Sequence, residues 1–355
     1  AGNGRPAKTS RVDPARPDGK IEQEVCVGDQ LEPEVLRVRN LSVDFVTPGQ
    51  PPAHALDQVG FSLRQGEILG VVGESGCGKS TLMLGLMRLL AANGRITAGQ
   101  VLFQGQDLLD LTEEEMAEVR WKRISIIFQG AMNALNPVRR VGDQIAEAIW
   151  RHYPTNDKSI VDQRVGELFE MVGISAGRKD EYPHQFSGGM RQRAMIAMAL
   201  ACTPQIVIAD EPTTALDVMV QAQILELIAE LSQKLGVAVL FVTHDLGVVA
   251  EICDTVLVMY GGVVAEYAPV DTIFNNPQHP YTQELLKAFP DISRLNGRLA
   301  SIPGYPPPLD ALPPGCRFAP RCPAAFERCY TEQPPSYPLG SRQTHQVSCF
   351  LVDPP

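Results

Sequence analysis

An apolar segment that leads straight into a glycine-rich loop restricts the possible folds of this chain more than any other feature. The segment Ile68–Val72 is short and apolar, and Gly73 follows it directly. Helical spacing of apolar side chains then runs over residues 81–90. A strand, a glycine-rich loop and a helix in this order form the unit that encloses phosphate groups, which predicts an α/β protein with a parallel sheet.

The loop Gly73-Glu74-Ser75-Gly76-Cys77-Gly78-Lys79-Ser80 fits the pattern G-x-x-x-x-G-K-[ST] at every constrained position. Its glycines let successive backbone N–H groups converge on the β- and γ-phosphates of a nucleotide without an intervening Cβ atom. Lys79 adds a cation at the phosphates, and the hydroxyl of Ser80 is a ligand for Mg²⁺. The residues expected to contact the nucleotide here are Gly73, Ser75, Gly76, Cys77, Gly78, Lys79, Ser80 and Thr81.

A second anion-binding turn lies far along the chain, at Ser187-Gly188-Gly189-Met190. It opens a predicted helix over residues 188–202, and a helix N-terminus holds anions through its free N–H groups and partial positive charge. One chain thus carries two anion sites that are remote from each other in sequence. This arrangement suits a head-to-tail pair of chains, in which ATP lies between the loop of one chain and Ser187, Gly188 and Gly189 of the other.

Polar side chains follow three apolar strands, at the edge where parallel sheets bind their ligands. Asp210 and Glu211 end one strand, Gln129 follows a second, and His244 follows a third. We expect Asp210 and Gln129 to help hold Mg²⁺. Glu211 is expected to polarise the attacking water as a general base, an effect worth about 10²–10⁴ in rate. His244 is expected to bond the γ-phosphate.

Strands and helices alternate along most of the chain, which predicts an α/β fold with a mainly parallel sheet flanked by helices. Alternating apolar residues at 36–45 and 59–63 predict a pair of half-buried strands before the loop. Residues 133–173 are mostly helical in pattern and predict a separate lobe. Residues 1–34 are polar and rich in Gly, Pro, Arg and Asp, which predicts a disordered tail.

The bulk composition narrows the possible functions. A net charge of -10 argues against a nucleic-acid binder, because such proteins usually present a basic face. No uninterrupted apolar run reaches the ~18 residues of a membrane span, so we expect any membrane role to come through a partner. No signal-peptide pattern opens the chain, which makes the cytoplasm the expected compartment.

With these motifs in this order, residues 35–270 resemble the ATP-binding subunit of ABC transporters. The resemblance implies an ABC-type nucleotide-binding domain with a mainly parallel RecA-like sheet, an antiparallel β subdomain and a helical subdomain at about residues 131–187. The motifs that carry it are Walker A at residues 73–80, the Q-loop at Gln129, the signature at residues 187–190, Walker B at residues 206–210, the catalytic Glu211, the D-loop at Ala215-Leu216-Asp217 and the switch histidine His244.

Three further positions are assigned by the same resemblance. Phe45 falls where the family places an aromatic residue, more often Tyr, that stacks on adenine. Asp217 belongs to the implied nucleotide contacts through the D-loop. Met190 replaces the usual Gln of the signature, and we expect function to be kept because Ser187 and backbone N–H groups bind the phosphate.

A narrower resemblance lies in the extension over residues 271–355. The segments Asn276-Pro277-Gln278-His279-Pro280-Tyr281 and Ile302-Pro303-Gly304-Tyr305-Pro306-Pro307 look like the C-terminal region of dipeptide and oligopeptide permease ATPases. Within that group the chain resembles the D-type subunit, which pairs with a related F-type ATPase, two transmembrane permease subunits and an extracytoplasmic substrate-binding protein. The resemblance implies a peripheral position at the cytoplasmic face of the membrane.

Three rival functions stay open on the sequence. Nickel and glutathione importers share the same features. A soluble ABC ATPase of translation or DNA repair usually carries two cassettes or a long coiled-coil insert, and this sequence has neither. A scaffold that has lost hydrolysis is opposed by the intact Lys79, Glu211 and His244.

Four cysteines fall in the C-terminal extension, at Cys316, Cys322, Cys329 and Cys349. Disulfides are not expected in a reducing cytosol, and the spacing lacks the C-x₂₋₄-C knuckle common in structural zinc sites. Four thiolates also suit a [4Fe–4S] cluster, and members of the resembled group have such a cluster on this four-cysteine pattern. The cluster is the favoured interpretation, with zinc and free thiols as alternatives.

Overall fold

A computed structural model describes residues 33–130, 134–153, 157–288, 302–340 and 344–353. Apart from Pro33 and Glu34, the predicted disordered tail at residues 1–34 lies outside the described residues. The described strands are β1 (Glu34–Phe45), β2 (Ala53–Arg64), β3 (Ile68–Val72), β4 (Gly94–Phe103), β5 (Gln106–Asp107), β6 (Ile124–Ile127), β7 (Ile206–Asp210), β8 (Ala238–Val242), β9 (Thr255–Tyr260), β10 (Val263–Pro269), β11 (Tyr337–Leu339) and β12 (His345–Val347). The described helices are α1 (Lys79–Leu86), α2 (Glu113–Val119), α3 (Val141–His152), α4 (Lys158–Met171), α5 (Gly188–Ala199), α6 (Val218–Leu235), α7 (Leu246–Ile252), α8 (Val270–Asn275), α9 (Pro280–Lys287) and α10 (Glu327–Thr331).

The main sheet has the strand order β11-β12-β10-β9-β3-β8-β7-β6. Strands β9, β3, β8, β7 and β6 run parallel, and β10, β12 and β11 continue the sheet in antiparallel pairing. Every residue of β3, β7 and β8 is buried, as is usual for parallel strands covered on both faces. The carboxyl ends of β3, β6, β7 and β8 therefore meet at one edge of the sheet.

A second, antiparallel sheet has the order β2-β1-β4-β5. Its apolar side chains share one core with α1 and the main sheet, in which Leu41, Leu69, Leu82 and Leu240 are all buried. The apolar pattern of the sequence predicts strands within β1 and β2 but gives no signal for β4. Half of the ten residues of β4 are exposed, so the strand has no regular apolar alternation.

Helices α3, α4 and α5 contact one another and form a helical layer. Phe169 on α4 is fully buried, and its ring meets that of Phe186 edge to face with centroids 6.3 Å apart. Phe186 directly precedes Ser187, so this contact anchors the entry to the Ser-Gly-Gly turn. None of the described helices combines the length and the apolar character needed to cross a membrane.

The C-terminal residues extend the main sheet, because β12 pairs with β10 through Glu266 and Val347. The fully buried carboxylate of Glu266 accepts hydrogen bonds from the N–H groups of Gln278 at 2.8 Å and His279 at 3.0 Å. Nε2 of His345 lies 2.7 Å from the same carboxylate. A buried carboxylate requires such partners, and they attach the C-terminal segment to β10. The predicted domain division at residue 270 falls at the start of α8 and stays a prediction.

Replacing Phe169 with Ala should lower the free energy of unfolding by about 3–5 kcal/mol, because it leaves a cavity in the helical layer. Ile160→Ala on the same helix is the matched control, since its side chain is 58% exposed and its loss should cost less than about 0.5 kcal/mol. Urea denaturation followed by circular dichroism measures both values. Equal destabilisation by the two variants would contradict this assignment of the core.

Candidate active site

The glycine-rich loop connects β3 to α1, and two of its positions require glycine. Gly73 and Gly78 have φ angles of 152° and 106°. A Cβ atom on Gly73 would lie 2.2 Å from the carbonyl oxygen of Met259, and one on Gly78 would lie 2.7 Å from that of Ala55. The loop therefore owes its shape both to the freedom of glycine and to the close approach of neighbouring backbone.

Lys79 begins α1, and its ammonium group lies inside the loop. Nζ donates hydrogen bonds to the carbonyl oxygens of Gly73 at 2.7 Å and Glu74 at 3.1 Å. Gly78 precedes the helix, and no side chain caps the first N–H groups of α1. These N–H groups and the ammonium group form a surface that favours an anion. Of the other loop residues, Ser75, Gly76 and Ser80 are exposed, Thr81 is half-buried and Cys77 is buried.

Asp210 ends β7 and is only 9% exposed. Burial raises the pKa of its carboxyl, the adjacent Glu211 raises it further, and Lys79 opposes both. A divalent cation would favour the ionised form of the Asp210 carboxyl. Mg²⁺ in phosphate sites normally uses one or two carboxylates and completes its shell with phosphate and water. The carboxylate of Asp210 and the hydroxyl of Ser80 are therefore of the ligand types that a Mg²⁺ ion bound together with a nucleotide would use.

Glu211 is the centre of a hydrogen-bond network at the carboxyl edge of the sheet. Nε2 of Gln129 donates to its Oε2 at 2.8 Å, and the hydroxyl of Thr214 donates to the same oxygen at 3.0 Å. Nδ1 of His244 lies 2.9 Å from Oε1. Gln129 and His244 follow β6 and β8, the two strands that pair with β7 on either side. The structure thus brings these three predicted site residues together.

The network keeps the carboxyl of Glu211 ionised. Partial burial by itself raises the pKa, but hydrogen bonds from His244 and Thr214 and the nearby charges of His244 and Lys79 outweigh it, so the pKa lies below its ordinary value. Glu211 also has a φ angle of 43°, a left-handed conformation that is uncommon outside glycine. Residues held in such conformations cluster at functional sites. An ionised carboxylate in this position can polarise a water molecule.

Two side chains of the site were missed by sequence analysis. Thr214 bonds Glu211 from the turn that follows β7, and its short spacing after Glu211 was the only signal. The hydroxyl of Tyr281 on α9 accepts a hydrogen bond from the N–H group of Glu74 at 3.0 Å. No local pattern links Tyr281 to the loop, because 207 positions separate it from Glu74.

The Ser-Gly-Gly turn is built around the start of α5. The hydroxyl of Ser187 accepts a hydrogen bond from the N–H group of Met190 at 3.3 Å, and a Cβ on Gly189 would meet Val220 of α6 at 2.6 Å. Asp217 caps α6 by accepting from the N–H group of the same Val220 at 3.0 Å. Within the described residues no hydrogen bond joins this turn to the glycine-rich loop.

Phe45 ends β1, where it pairs with Ala53 of β2 and Gly94 of β4. Its ring is half-buried against the core shared by the two sheets. The following residue, Val46, is 47% exposed. Phe45 therefore lies at the border between core and solvent, and its stacking on adenine stays a prediction.

The four C-terminal cysteines carry free thiols and share one small cavity. Among the described residues, no three Cys, His, Asp or Glu side chains are arranged to bind a single metal ion. The cavity is lined by Cys316, Cys322, Cys329 and Cys349, and also by residues that include His279, Phe318 and Phe350.

Two opposing effects act on these thiols. Burial raises the pKa of Cys316, Cys322 and Cys349, the last to about 11, and repulsion from the neighbouring thiols adds to the rise. Backbone N–H groups directed at the same three sulfurs lower it. Such donors stabilise thiolate ligands and tune iron–sulfur centres. The donor groups belong to Phe318, Ala319, Ala324 and Leu351.

Two family models match the chain. A model of the ABC transporter matches residues 56–214, a range that contains the glycine-rich loop, Gln129, the Ser-Gly-Gly turn and Glu211. A model of the C-terminal region of the oligopeptide/dipeptide transporter matches residues 265–329. That second range contains α9 and the cysteines at 316, 322 and 329.

Curated relatives are similar over nearly the whole chain. The oligopeptide transport ATP-binding protein AppD of Bacillus subtilis is 47% identical over 322 residues, with 90% of this chain and 97% of the relative covered. The dipeptide transport ATP-binding protein DppD of Lactococcus lactis is 47% identical over 325 residues, with 91% and 92% covered. The oligopeptide transport ATP-binding protein OppD of Salmonella typhimurium is 48% identical over 302 residues, with 84% and 89% covered.

Solved structures confirm the predicted fold class. The ATP-binding cassette MJ0796, in a dimeric post-hydrolysis state bound to ADP and phosphate, has a TM-score of 0.59 and 27% identity, covering 66% of this chain and 98% of that chain. The protein cbiO1 of Clostridium perfringens, part of the ABC transporter complex cbiONQ, has a TM-score of 0.60 and 27% identity, covering 69% and 92%.

Replacing Glu211 with Gln should lower kcat for ATP hydrolysis by about 10²–10⁴-fold, because the amide cannot accept a proton from water. The dissociation constant for ATP should stay within about threefold, since the phosphate loop is unchanged. Phosphate release and nucleotide-binding fluorescence measure the two quantities. Glu230→Gln is the control, because Glu230 is an exposed partner of Lys234 on α6. Wild-type turnover in the Glu211 variant would refute its assignment as the base.

Proposed function

The chain belongs to the ABC transporter family and to its oligopeptide and dipeptide transport ATP-binding proteins, and from this membership we propose how it works in transport. It is the ATP-hydrolysing motor subunit of a peptide ABC importer. ATP binding closes this domain head to tail on a second ATP-binding domain, and hydrolysis reopens the pair. The movement passes to membrane partner subunits that carry the substrate.

One observation carries this proposal more than any other. One chain contains three features of a nucleotide site. These are a phosphate loop with an internal lysine, an ionised Glu211 that is bonded to Gln129 and His244 after two other strands, and a Ser-Gly-Gly turn. The chain thereby contributes to two different nucleotide sites and completes neither. A C-terminal segment that matches the oligopeptide/dipeptide transporter region assigns the same chain to peptide transport.

Hydrolysis depends on positioning and charge. Backbone N–H groups of residues 73–80 and Lys79 bind the phosphates, and Phe45 stacks on adenine. Ser80, Gln129 and Asp210 are the residues that would hold Mg²⁺, and the bound ion would supply positive charge to the phosphate groups. Since Nε2 of Gln129 is bonded to Glu211, the amide oxygen of Gln129 is the atom free to meet the ion.

Glu211 and His244 act on the attacking water and the γ-phosphate. The ionised carboxylate of Glu211 orients the water and accepts its proton as the water oxygen bonds to the γ-phosphorus. The bond from that phosphorus to the β,γ-bridging oxygen breaks in the same step, and ADP leaves with the electron pair. Its pKa lies below the ordinary value in the free protein, so no prior deprotonation is needed. His244 holds Glu211 through Nδ1, while its exposed side chain can reach the γ-phosphate through the other ring nitrogen.

A second ATP-binding domain completes each nucleotide site. Ser187, Gly188, Gly189 and Asp217 of this chain contact the nucleotide held by the loop of that domain. The start of α6 supports a protein interface here, because Val218 and Met219 are 82% and 72% exposed. The partner is a paralogous F-type ATPase, which makes the pair an asymmetric heterodimer.

A groove beside the Q-loop is suited to a membrane partner. It has a volume of about 460 Å³ and lies between the end of β6 and α5, where its apolar lining includes Trp121, Phe128 and Met195. Phe128 is 43% exposed next to Gln129. Two transmembrane permease subunits and an extracytoplasmic substrate-binding protein complete the assembly. This chain then lies peripherally at the cytoplasmic face of the membrane.

Peptides are the proposed cargo, and the observation that favours them is the C-terminal region. Its match covers residues 265–329 and is described for oligopeptide and dipeptide transporters. Nickel or glutathione import is the second candidate, because importers of both resemble this group. A soluble ABC ATPase without membrane partners is the candidate from a different class.

Co-purification of the intact complex, followed by reconstitution into vesicles, tests the proposed function. Peptide uptake should require ATP on the side of this subunit and should fall to background in Lys79→Ala, because the variant lacks the cation at the phosphates. Lys234→Ala, which removes an exposed lysine of α6, should transport normally. Uptake of nickel or glutathione without peptide uptake would contradict the proposed cargo, and mass spectrometry of bound cargo gives an independent identification.

We further infer that Cys316, Cys322, Cys329 and Cys349 hold a [4Fe–4S] cluster. Two observations support it: the four thiols line one cavity, and backbone hydrogen bonds lower the pKa of the Cys316, Cys322 and Cys349 thiols. When bound, such a cluster would link four positions of the extension and supply a one-electron redox centre. It takes no part in ATP hydrolysis.

Metal analysis of anaerobically purified protein tests the cluster. We expect about four irons and four sulfides per chain, with visible absorption that disappears on oxidation. Cys322→Ser should lower the iron content, whereas Cys202→Ser should leave it unchanged, because Cys202 lies in the helical core instead. One zinc per chain, or four freely titratable thiols with no metal, would contradict the cluster.

A further inference from the structure

Glu74 places a carboxylate in the loop that is expected to bind a polyanion. It follows Gly73 directly, and its side chain is 24% exposed. A negative charge here opposes the binding of phosphate unless another group neutralises it or holds it away. Among the described residues Lys79 forms no ion pair with this carboxylate, and its ammonium group donates to the main-chain carbonyl oxygens of Gly73 and Glu74.

Arg321 of the C-terminal extension is the partner of this carboxylate. Nη1 donates to Oε2 of Glu74 at 2.6 Å, and Nη2 donates to Oε1 at 3.0 Å. This two-pronged geometry is specific to arginine and is the strongest form of such a pair. The Arg321 side chain is only 6% exposed, so water screens the pair weakly.

Every N–H of the Arg321 guanidinium group has an acceptor. Besides the two bonds to Glu74, Nε donates to the carbonyl oxygen of Pro303 at 2.8 Å, Nη2 to that of Ile302 at 3.1 Å and Nη1 to the hydroxyl of Tyr260 at 3.2 Å. A guanidinium group has five such donors. Arg321 thereby joins the phosphate loop, the end of β9 and the Pro-rich segment of the extension.

A second contact holds the same residue of the loop. The N–H group of Glu74 donates to the hydroxyl of Tyr281 at 3.0 Å. The ring of Tyr281 packs on Tyr260 and Phe318, with centroids 4.6 Å and 5.3 Å away. Both the side chain and the backbone of Glu74 are therefore fixed by residues that lie after or at the end of β9.

We propose that Arg321 is a positioning residue of the phosphate loop, through which the C-terminal extension sets the affinity for ATP. By neutralising Glu74 and holding its carboxylate in the ion pair, Arg321 removes a repulsion that nucleotide binding would otherwise meet. This role rests on the proposed function of residues 73–80 as the phosphate loop. It gives the extension a task in the ATPase cycle that is independent of any metal at the cysteines.

The assembled complex carrying Arg321→Gln tests the proposal through its dissociation constant for a fluorescent ATP analogue. We expect ATP binding to weaken by about tenfold, because an unpaired carboxylate then faces the phosphates. KM should rise in parallel while kcat at saturating ATP stays within about twofold. The dissociation constant of Arg321→Lys should lie between those of the wild type and Arg321→Gln. An ammonium group keeps the positive charge but cannot make the two parallel hydrogen bonds of a guanidinium group.

The double variant Glu74→Gln/Arg321→Gln separates electrostatic positioning from general support. Because the carboxylate is gone, we expect the affinity to return to within about twofold of Glu74→Gln alone. If Arg321→Gln does not fold, the proposal is tested by comparing the ATP affinity of the double variant with that of Glu74→Gln. A double variant that binds tenfold more weakly than Glu74→Gln would overturn the proposal, as would unchanged affinity in Arg321→Gln.

Two further variants show whether a loss of ATP affinity is specific to the pair of Arg321 and Glu74. Arg328→Gln is the matched control: Arg328 precedes Cys329 as Arg321 precedes Cys322, but it pairs with Glu332 and Asp353 within the extension. It should bind ATP like the wild type, and a tenfold loss would show that any disturbance beside a cysteine weakens binding. Lys79→Ala tests the underlying assignment, since retained ATP binding there would defeat the phosphate loop itself.

Discussion

The close packing of backbone around Gly73 and Gly78 is the constraint on which the rest of the site depends. Carbonyl groups of Met259 and Ala55 leave no room for a Cβ atom at either glycine. The loop is therefore held open between β3 and α1, and Lys79 lies within it. The same parallel sheet places the ends of β6, β7 and β8 at the edge that holds the loop. There Glu211 forms its hydrogen bonds with Gln129, Thr214 and His244.

The second property that shapes the proposed function is that one chain supplies only part of each nucleotide site. The glycine-rich loop and the Ser-Gly-Gly turn both offer N–H groups to an anion, and they lie far apart in the sequence. In the proposed mechanism, a nucleotide bound to the loop of one chain therefore also contacts the Ser-Gly-Gly turn of a second chain. Hydrolysis at such a shared site can drive opening and closing of the pair, which is the movement that a transport motor requires.

Local sequence patterns predict much of the fold and of the candidate site. They do not predict contacts between residues that lie far apart along the chain. The unit of β3, loop and α1 follows from glycine spacing and apolar runs, and Gln129, Glu211 and His244 follow from strand ends. In the exposed strand β4, apolar and polar residues do not alternate, so the sequence shows no two-residue period that would predict a strand. Arg321 and Glu74 are 247 positions apart, and only the packing of α9 and the extension on β9 and β10 brings them together.

ATP hydrolysis measured against subunit concentration tests the central claim most directly. The isolated chain, shown by light scattering to stay monomeric, should hydrolyse ATP at least about a hundredfold more slowly than the complete assembly, because no second chain supplies the Ser-Gly-Gly turn. The rate per chain should rise as the partner ATPase is added. A monomer that hydrolyses ATP as fast as the assembly would contradict the shared site.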